Sequence, residues 1–411
     1  MLDFTLLSRK KLPFWEMLLI IYLFVSYLLP AYSLGSTTLL ALLLVYCAYM
    51  MLIDMDLLPI VAISLALIIL LALFYTLLTD TVTIAQNVAN RTIKQFTTKM
   101  YQYTALYFPA FLFFRVHKTA TQKQKMLLAG AGIVLMVYVI ITTWIYLIEH
   151  PGAIRKWNGD TDIASMNLAG YYFVYAVPII ISVISIIMLE FKGIPRLISI
   201  VLVILGIIFL VNAQYTLAIL IAIIGVLFQL FRNIRSTLNK ILFALVTIAV
   251  ALFLPQILAY AIRIIPSQQV SLRLSEILDF LVGRGADGYN LNARLTLYGD
   301  TIKAFLQSPF IGNRRLDFDG HATFLTVLSD TGILGGLPFY GLFAATCKHM
   351  KKLLGVHKAQ FGVVIFMFAL MGLTNPIHAA LPLGLATWFL APLTIQLIFK
   401  EEPQNGKALE N

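Results

Sequence analysis

Charged residues are scarce in this chain. Only 12% of its 411 residues are Asp, Glu, Lys or Arg, whereas 60% are hydrophobic. A water-soluble domain cannot hide that much apolar surface, so a soluble globular protein is excluded and lipid is the expected solvent. Cysteine is scarcer still. Cys47 and Cys347 lie far apart, in or beside apolar runs, which excludes a disulfide framework. Strand-like alternation is missing too: Ile, Leu and Phe run on unbroken, which argues against a membrane β-barrel. The chain has no Walker loop, no Gly-rich dinucleotide turn and no Gly-x-Ser-x-Gly elbow, so a reaction using ATP directly is not expected. It also lacks His-x-x-x-His and Cys-x-x-Cys pairs. The acidic pairs Asp54/Asp56, Asp160/Asp162 and Asp317/Asp319 are short enough to arise by chance. No metal and no cofactor are expected.

What remains is apolar sequence in runs of about 18 to 22 residues, the length a helix needs to cross some 30 Å of hydrocarbon. The expected fold is all-α: a polytopic membrane protein of about 12 transmembrane helices with a large extracytoplasmic loop. Spans are expected near residues 14–32, 38–53, 57–78, 101–114, 126–148, 169–189, 197–211, 215–231, 241–262, 323–346, 361–373 and 381–398. Arg9, Lys10 and Lys11 precede the first run as in a signal peptide. That run is too long and too many others follow, so it reads as an uncleaved first helix.

The formal net charge is +11. A cytoplasmic N-terminus places Arg115, Lys118, Lys123 and Lys125 inside, with Lys192, Arg196, Arg232, Arg235 and Lys240. Lys348, Lys351, Lys352, Lys358 and Lys400 join them. These are the short basic loops that the positive-inside rule requires, and they put both termini in the cytoplasm. Only the acidic turn at residues 54–56 gives no support. The basic residues are scattered, so no nucleic-acid partner is expected.

Three polar segments then lie outside, at residues 79–98, 149–168 and 263–320. The organisation expected is helices 1–9 over residues 1–262, an extracytoplasmic loop over 263–320, helices 10–12 over 321–399 and a cytoplasmic tail over 400–411. The long loop is not low-complexity. Leu274, Ile277, Leu278 and Leu281 follow helical spacing, as do Leu291, Leu295, Tyr298, Ile302 and Phe305. Asn292 is a possible N-cap and Pro309 falls past the end. Two amphipathic helices on the outer membrane surface fit this pattern.

The same loop carries Arg263, Arg273, Arg284, Arg294, Lys303, Arg314 and Arg315, nearly balanced by Glu276, Asp279, Asp287, Asp300, Asp317 and Asp319. These charges read either as solvated ion pairs or as one or two arginines holding an anion. Guanidinium grips phosphate oxygens bidentately and never loses its proton. His321 closes the loop, as an interface histidine or as a general base that titrates near neutrality.

Within this region the order of residues is distinctive. Ala293-Arg294-Leu295-Thr296-Leu297-Tyr298 is followed by Ala304-Phe305, then Ser308-Pro309-Phe310-Ile311-Gly312. His321-Ala322-Thr323-Phe324-Leu325 and Asp330-Thr331-Gly332-Ile333-Leu334-Gly335 come next. The pattern resembles the O-antigen ligase and O-antigen polymerase superfamily over about 45 residues. In that family an external Arg precedes Leu-Trp, a helix leads to a Pro-Leu-x-Gly turn, and His-Asn-x-Phe-Leu opens the next span.

The resemblance implies a metal-independent GT-C-type glycosyltransferase of the bacterial inner membrane with its active site outside. Its donor is a glycan on undecaprenyl diphosphate, and its acceptor is a glycan or a lipid-linked sugar. Membrane lipid and other polysaccharide-assembly membrane proteins are the implied partners. Carried onto this chain, Arg294 would hold the diphosphate and His321 would orient or deprotonate the acceptor hydroxyl. Tyr298 stands where the family has Trp, and Ala322 where it has Asn. A second family cation, in a Ser-Arg pair, is matched by Ala213-Gln214, so Gln214 would contribute a hydrogen bond without charge. Arg273 or Arg284 would then supply the missing cation.

The implied reaction is polymerisation of surface polysaccharide repeat units, with ligation of a finished glycan to lipid A–core as the alternative. A transporter of the same lipid-linked sugar would place ionisable residues or broken helices mid-span. Few are found; Asn375, Pro376 and His378 lie near an expected outer end. A non-catalytic assembly partner is the remaining reading, and it would tolerate the loss of Arg294 and His321.

Overall fold

The computed structural model describes residues 11–73, 102–150, 153–156, 168–234, 236–264, 271, 274–275, 278–279, 282, 291–312 and 322–399. The described residues are overwhelmingly helical and none of them forms a strand. The helices are α1 (Phe14–Leu28), α2 (Ser36–Ile53), α3 (Leu58–Leu73), α4 (Phe108–Thr119) and α5 (Gln122–Glu149). After them come α6 (Ala176–Glu190), α7 (Ile194–Asn212), α8 (Thr216–Asn233), α9 (Thr237–Leu252) and α10 (Leu254–Ile264). The last four are α11 (Leu291–Gln307), α12 (Thr323–Leu354), α13 (Lys358–Thr374) and α14 (Leu381–Ile398).

Six stretches are long and apolar enough to cross a membrane, or seven if the bent pair α9–α10 counts as one span. The protein is therefore a helical membrane protein. α1, α2 and α8 are apolar but shorter. One of the six stretches, Thr323–Thr374, contains both α12 and α13. These two fold back on each other at the Gly355–His357 turn. The Thr323 amide, at the start of α12, donates to the Asn375 carbonyl just past α13 at 3.1 Å, so the two helices are antiparallel.

Burial separates centre from rim. α14 buries 83% and the stretch Tyr171–Glu190 buries 78% of its most apolar window, against 28% for α7. At the centre, Trp388 packs its ring against Phe368 (5.1 Å) and Tyr107 (5.4 Å). Pro392 would clash with the carbonyl of Trp388 in a regular helix. A π turn over Ala386–Leu390 widens α14 at that place and keeps the rod continuous.

Two expected spans differ in shape. The run at 241–262 is two helices meeting at 56°. Pro255 lies in the first turn of α10, where it brings no N–H and collides with the Ala251 carbonyl of a continued helix, so the rod breaks at Phe253. The run at 101–114 turns at Leu106–Tyr107 and resumes as α4, which extends to Thr119. α11 begins at Leu291, so Asn292 lies inside it, and Pro309 does fall past its end. The described part of the preceding stretch, Ser271, Leu274, Ser275, Leu278, Asp279 and Val282, is helical.

At one end of the bundle α4 is bolted to α1 and α2. Glu16, fully buried, accepts from Arg115 Nε at 3.0 Å and from the Tyr46 hydroxyl at 2.9 Å. Arg115 Nη2 also donates to the Tyr49 hydroxyl at 3.1 Å, so the pair keeps its hydrogen bonds away from water. Nearby, Lys118 reaches Asp54 at 2.5 Å and Asp56 at 3.6 Å. The acidic turn that stood against the charge pattern thus has a lysine lying over it. α5 begins beside them with a capping box: the Gln124 amide donates to Thr121 Oγ1, and Gln124 Oε1 accepts from the Thr121 amide.

Candidate functional site

At the opposite end, the segments singled out by sequence converge. Past α11, the turn Ser308–Gly312 docks into a break in α12. Ile333 N donates to Pro309 O at 2.8 Å, and Leu334 N donates to Phe310 O at 3.1 Å. These amides are released from the α12 ladder because Gly332 adopts φ 61, ψ −160, a conformation open in practice only to glycine. The approach is close from both sides. A Cβ on Gly332 would lie within 2.6 Å of the Gly312 nitrogen, and one on Gly312 would fall onto the Asp330–Thr331 peptide. Asp330, just before the break, is 1% exposed, and its Oδ1 accepts from Ser329 Oγ at 3.4 Å.

One layer away, the chain around Asn375 forms a polar knot. Thr323 Oγ1 donates to Asn375 O at 3.2 Å, accepts from the His378 amide at 3.2 Å and lies 3.5 Å from His378 Nδ1. Pro376 forces this turn: it ends helical continuation past α13 and leaves the Asn375 carbonyl for the start of α12. Asn375 Oδ1 accepts from the Tyr175 hydroxyl at 3.2 Å, and the Tyr175 oxygen, its one proton so used, accepts from the Tyr171 hydroxyl at 2.7 Å. The Tyr215 ring lies edge-on to Tyr171 (5.4 Å) and Tyr175 (6.1 Å). The His378 ring is tilted against Tyr103 at 5.7 Å.

The residues named from sequence fall as follows. Gln214 joins α7 to α8 and, with φ 60, is the one described non-glycine residue at positive φ. Its N–H donates to Val211 O (3.0 Å) while the Tyr215 N–H reaches Leu210 O (3.4 Å). This is a Schellman cap, where glycine is the usual residue. Tyr298, on α11, donates its hydroxyl to Thr374 O at 3.3 Å, beside Asn375. Arg294 lies on α11 one turn before Tyr298. His321, Arg273 and Arg284 lie outside the described residues, with His321 two positions before Thr323 in the chain. Tyr298 therefore lies beside the Asn375 turn, and Gln214 immediately precedes Tyr215 of the tyrosine cluster.

Compared with protein-family models and with curated proteins, the sequence matches none of them.

Sequence reasoning missed Tyr171, Tyr175 and Tyr215, and left Asn375 and His378 without a role. Two signals were legible. Tyr171-Tyr172-Phe173-Val174-Tyr175 concentrates hydroxyls at the start of an apolar run, and Asn375-Pro376 breaks another. Chemically the knot offers hydroxyls, a carboxamide and an imidazole. Such groups orient a polyhydroxylated ligand and carry protons, while α11 brings the cationic residue type.

Proposed function

We propose that this chain is a metal-independent glycosyltransferase of the bacterial inner membrane, with twelve spans, both termini in the cytoplasm and its site on the outer face. It takes a glycan from undecaprenyl diphosphate and transfers it to a sugar hydroxyl, polymerising surface polysaccharide repeat units. The acceptor oxygen attacks the anomeric carbon, the bond from that carbon to the diphosphate oxygen breaks, and the hydroxyl proton passes to His321. Arg294 holds the departing diphosphate, whose charge rises in a poorly hydrated site where a fixed cation has most effect. Because the donor carries its own leaving group, no nucleotide is needed.

The observation that carries the reading is convergence. The motif's Ser308–Gly312 turn is locked to Ile333 and Leu334 just past Gly332, and Tyr298 on the Arg294-bearing helix is tied to Thr374. Motif residues spread along the chain are thus brought against one another, which supports a shared site.

The test is a reconstituted reaction with purified protein and undecaprenyl-diphosphate-linked repeat units of the host's own glycan, without nucleotide or added metal. A product ladder that disappears in His321→Ala and Arg294→Ala supports the polymerase. Transfer seen only after a second acceptor is added makes it a ligase, and no transfer in either case refutes the enzyme. Sidedness is checked with Asp287→Cys, labelled by a membrane-impermeant maleimide on intact cells. Cys47 and Cys347 are buried and contribute little background. Labelling only after permeabilisation would refute the topology.

A further inference from the structure

We infer that Tyr171, Tyr175, Tyr215 and Asn375 form a subsite for one neutral sugar ring of the glycan substrate, separate from whatever holds the diphosphate. The inference rests on the glycan-transfer reading and adds the part of the substrate that the arginines do not explain. Tyr171 and Tyr215 are half-buried, with the Tyr215 hydroxyl itself enclosed. Tyr175 is buried behind them at 2% exposure. A sugar ring has an axial-hydrogen face that is apolar and a rim of hydroxyls. Tyrosine matches both with a flat apolar face and a hydroxyl that donates and accepts.

The hydrogen-bond chain from Tyr171 through Tyr175 to Asn375 fixes the two rings and leaves the Asn375 carboxamide anchored to its neighbours. Its Nδ2 donates to Thr374 Oγ1 at 3.0 Å. An ordered wall of this kind loses little entropy on binding. No member of the quartet is cationic, so the wall suits a neutral ring and not a phosphate. Its place is also right for the chemistry. Asn375 is the residue to which Thr323, at the start of α12, is tied, so a ring held here lies beside the start of α12.

The probe is the free repeat-unit oligosaccharide, released from the host's surface glycan by mild acid and therefore lacking diphosphate and lipid. Its binding to detergent-purified protein is measured by saturation-transfer NMR. Saturation is expected on the sugar C–H protons. Tyr171→Leu/Tyr215→Leu keeps apolar bulk and removes ring faces and hydroxyls; it should weaken binding at least tenfold. Tyr171→Phe/Tyr215→Phe keeps the faces and should stay within about threefold. Size-exclusion elution and circular dichroism establish that each variant is folded, and single Leu variants replace a double variant that is not.

Absence of saturation transfer in the wild type, or equal binding by the Leu variants, overturns the subsite. The outcomes separate it from the parent reading. Sugar binding lost in the Leu variants, with no transfer activity in the wild type, refutes the enzyme and retains the subsite. Activity with Leu variants at wild-type affinity does the reverse.

Discussion

Gln214 gives the sharpest test of whether the site is built around strain. Its backbone sits at φ 60 in the cap between α7 and α8. A non-glycine residue there gives up roughly 1–2 kcal/mol relative to a relaxed conformation. Gln214→Gly removes that strain, while glycine's greater freedom in the unfolded chain returns about 0.5–1 kcal/mol. The net is a gain of roughly 0.5–1 kcal/mol. Gln214→Ala keeps the strain and loses only the carboxamide. A membrane protein in detergent tends to unfold irreversibly, so the readout is the half-life at a fixed raised temperature. The Gly variant should outlast the Ala variant by a few-fold, up to about fivefold. Both should lose transfer activity about equally, by tenfold or more, because both lose the side chain. A Gly variant shorter-lived than the Ala variant would refute the backbone argument. Full activity in both would refute any role for the carboxamide and leave the strain without a function.

Gly332→Ala combines a glycine-only conformation with a backbone collision, and should cost at least about 3 kcal/mol, seen as lost folded yield in detergent. Glu16→Ala leaves Arg115 buried and unpaired and should cost about 3–5 kcal/mol, whereas Glu16→Met with Arg115→Leu should recover most of it in a thermal-inactivation assay. Thr323→Val deprives the His378 amide of its acceptor; a loss of about 1–3 kcal/mol in stability is expected, and an unchanged half-life would show that the knot rearranges freely. Pro255→Ala restores the missing N–H and should straighten the α9–α10 bend, lengthening the distance between spin labels at residues 240 and 262; an unchanged or shorter distance would contradict it.

Much of the architecture could be read from the chain because lipid imposes a simple rule: long apolar runs become helices. Among the described residues helices lie over the apolar runs and Pro309 follows α11, but six stretches, or seven with the bent pair, are long and apolar enough to cross a membrane, against the twelve expected. Shape within a run was harder. The break at Phe253 follows from Pro255 and was available in principle, but the turn at Leu106–Tyr107 has no proline or glycine to announce it. Partners across the fold were not legible at all. Nothing in the sequence pairs Glu16 with Arg115, or Tyr175 with Asn375 across 200 positions, because side-chain pairing depends on helix rotation that hydropathy does not encode. The candidate site was legible as motif segments. Tyr298 falls beside the Asn375 turn and Gln214 next to Tyr215, and the tyrosine wall was hidden because aromatic residues at span ends commonly serve as interface anchors.

The buried pair of Glu16 and Arg115 also dictates an order of assembly. Its partners are 99 residues apart, so at about 5–20 residues per second the ribosome needs on the order of 5–20 s to deliver the second after the first. Through that interval α1 carries a carboxylate whose counter-ion has not been made. Glu16 lies in the first turn of α1, at the end of the span, where an unpaired carboxylate can keep its water until the counter-ion arrives. The burial of this first turn is therefore completed only when α4 emerges and supplies the guanidinium.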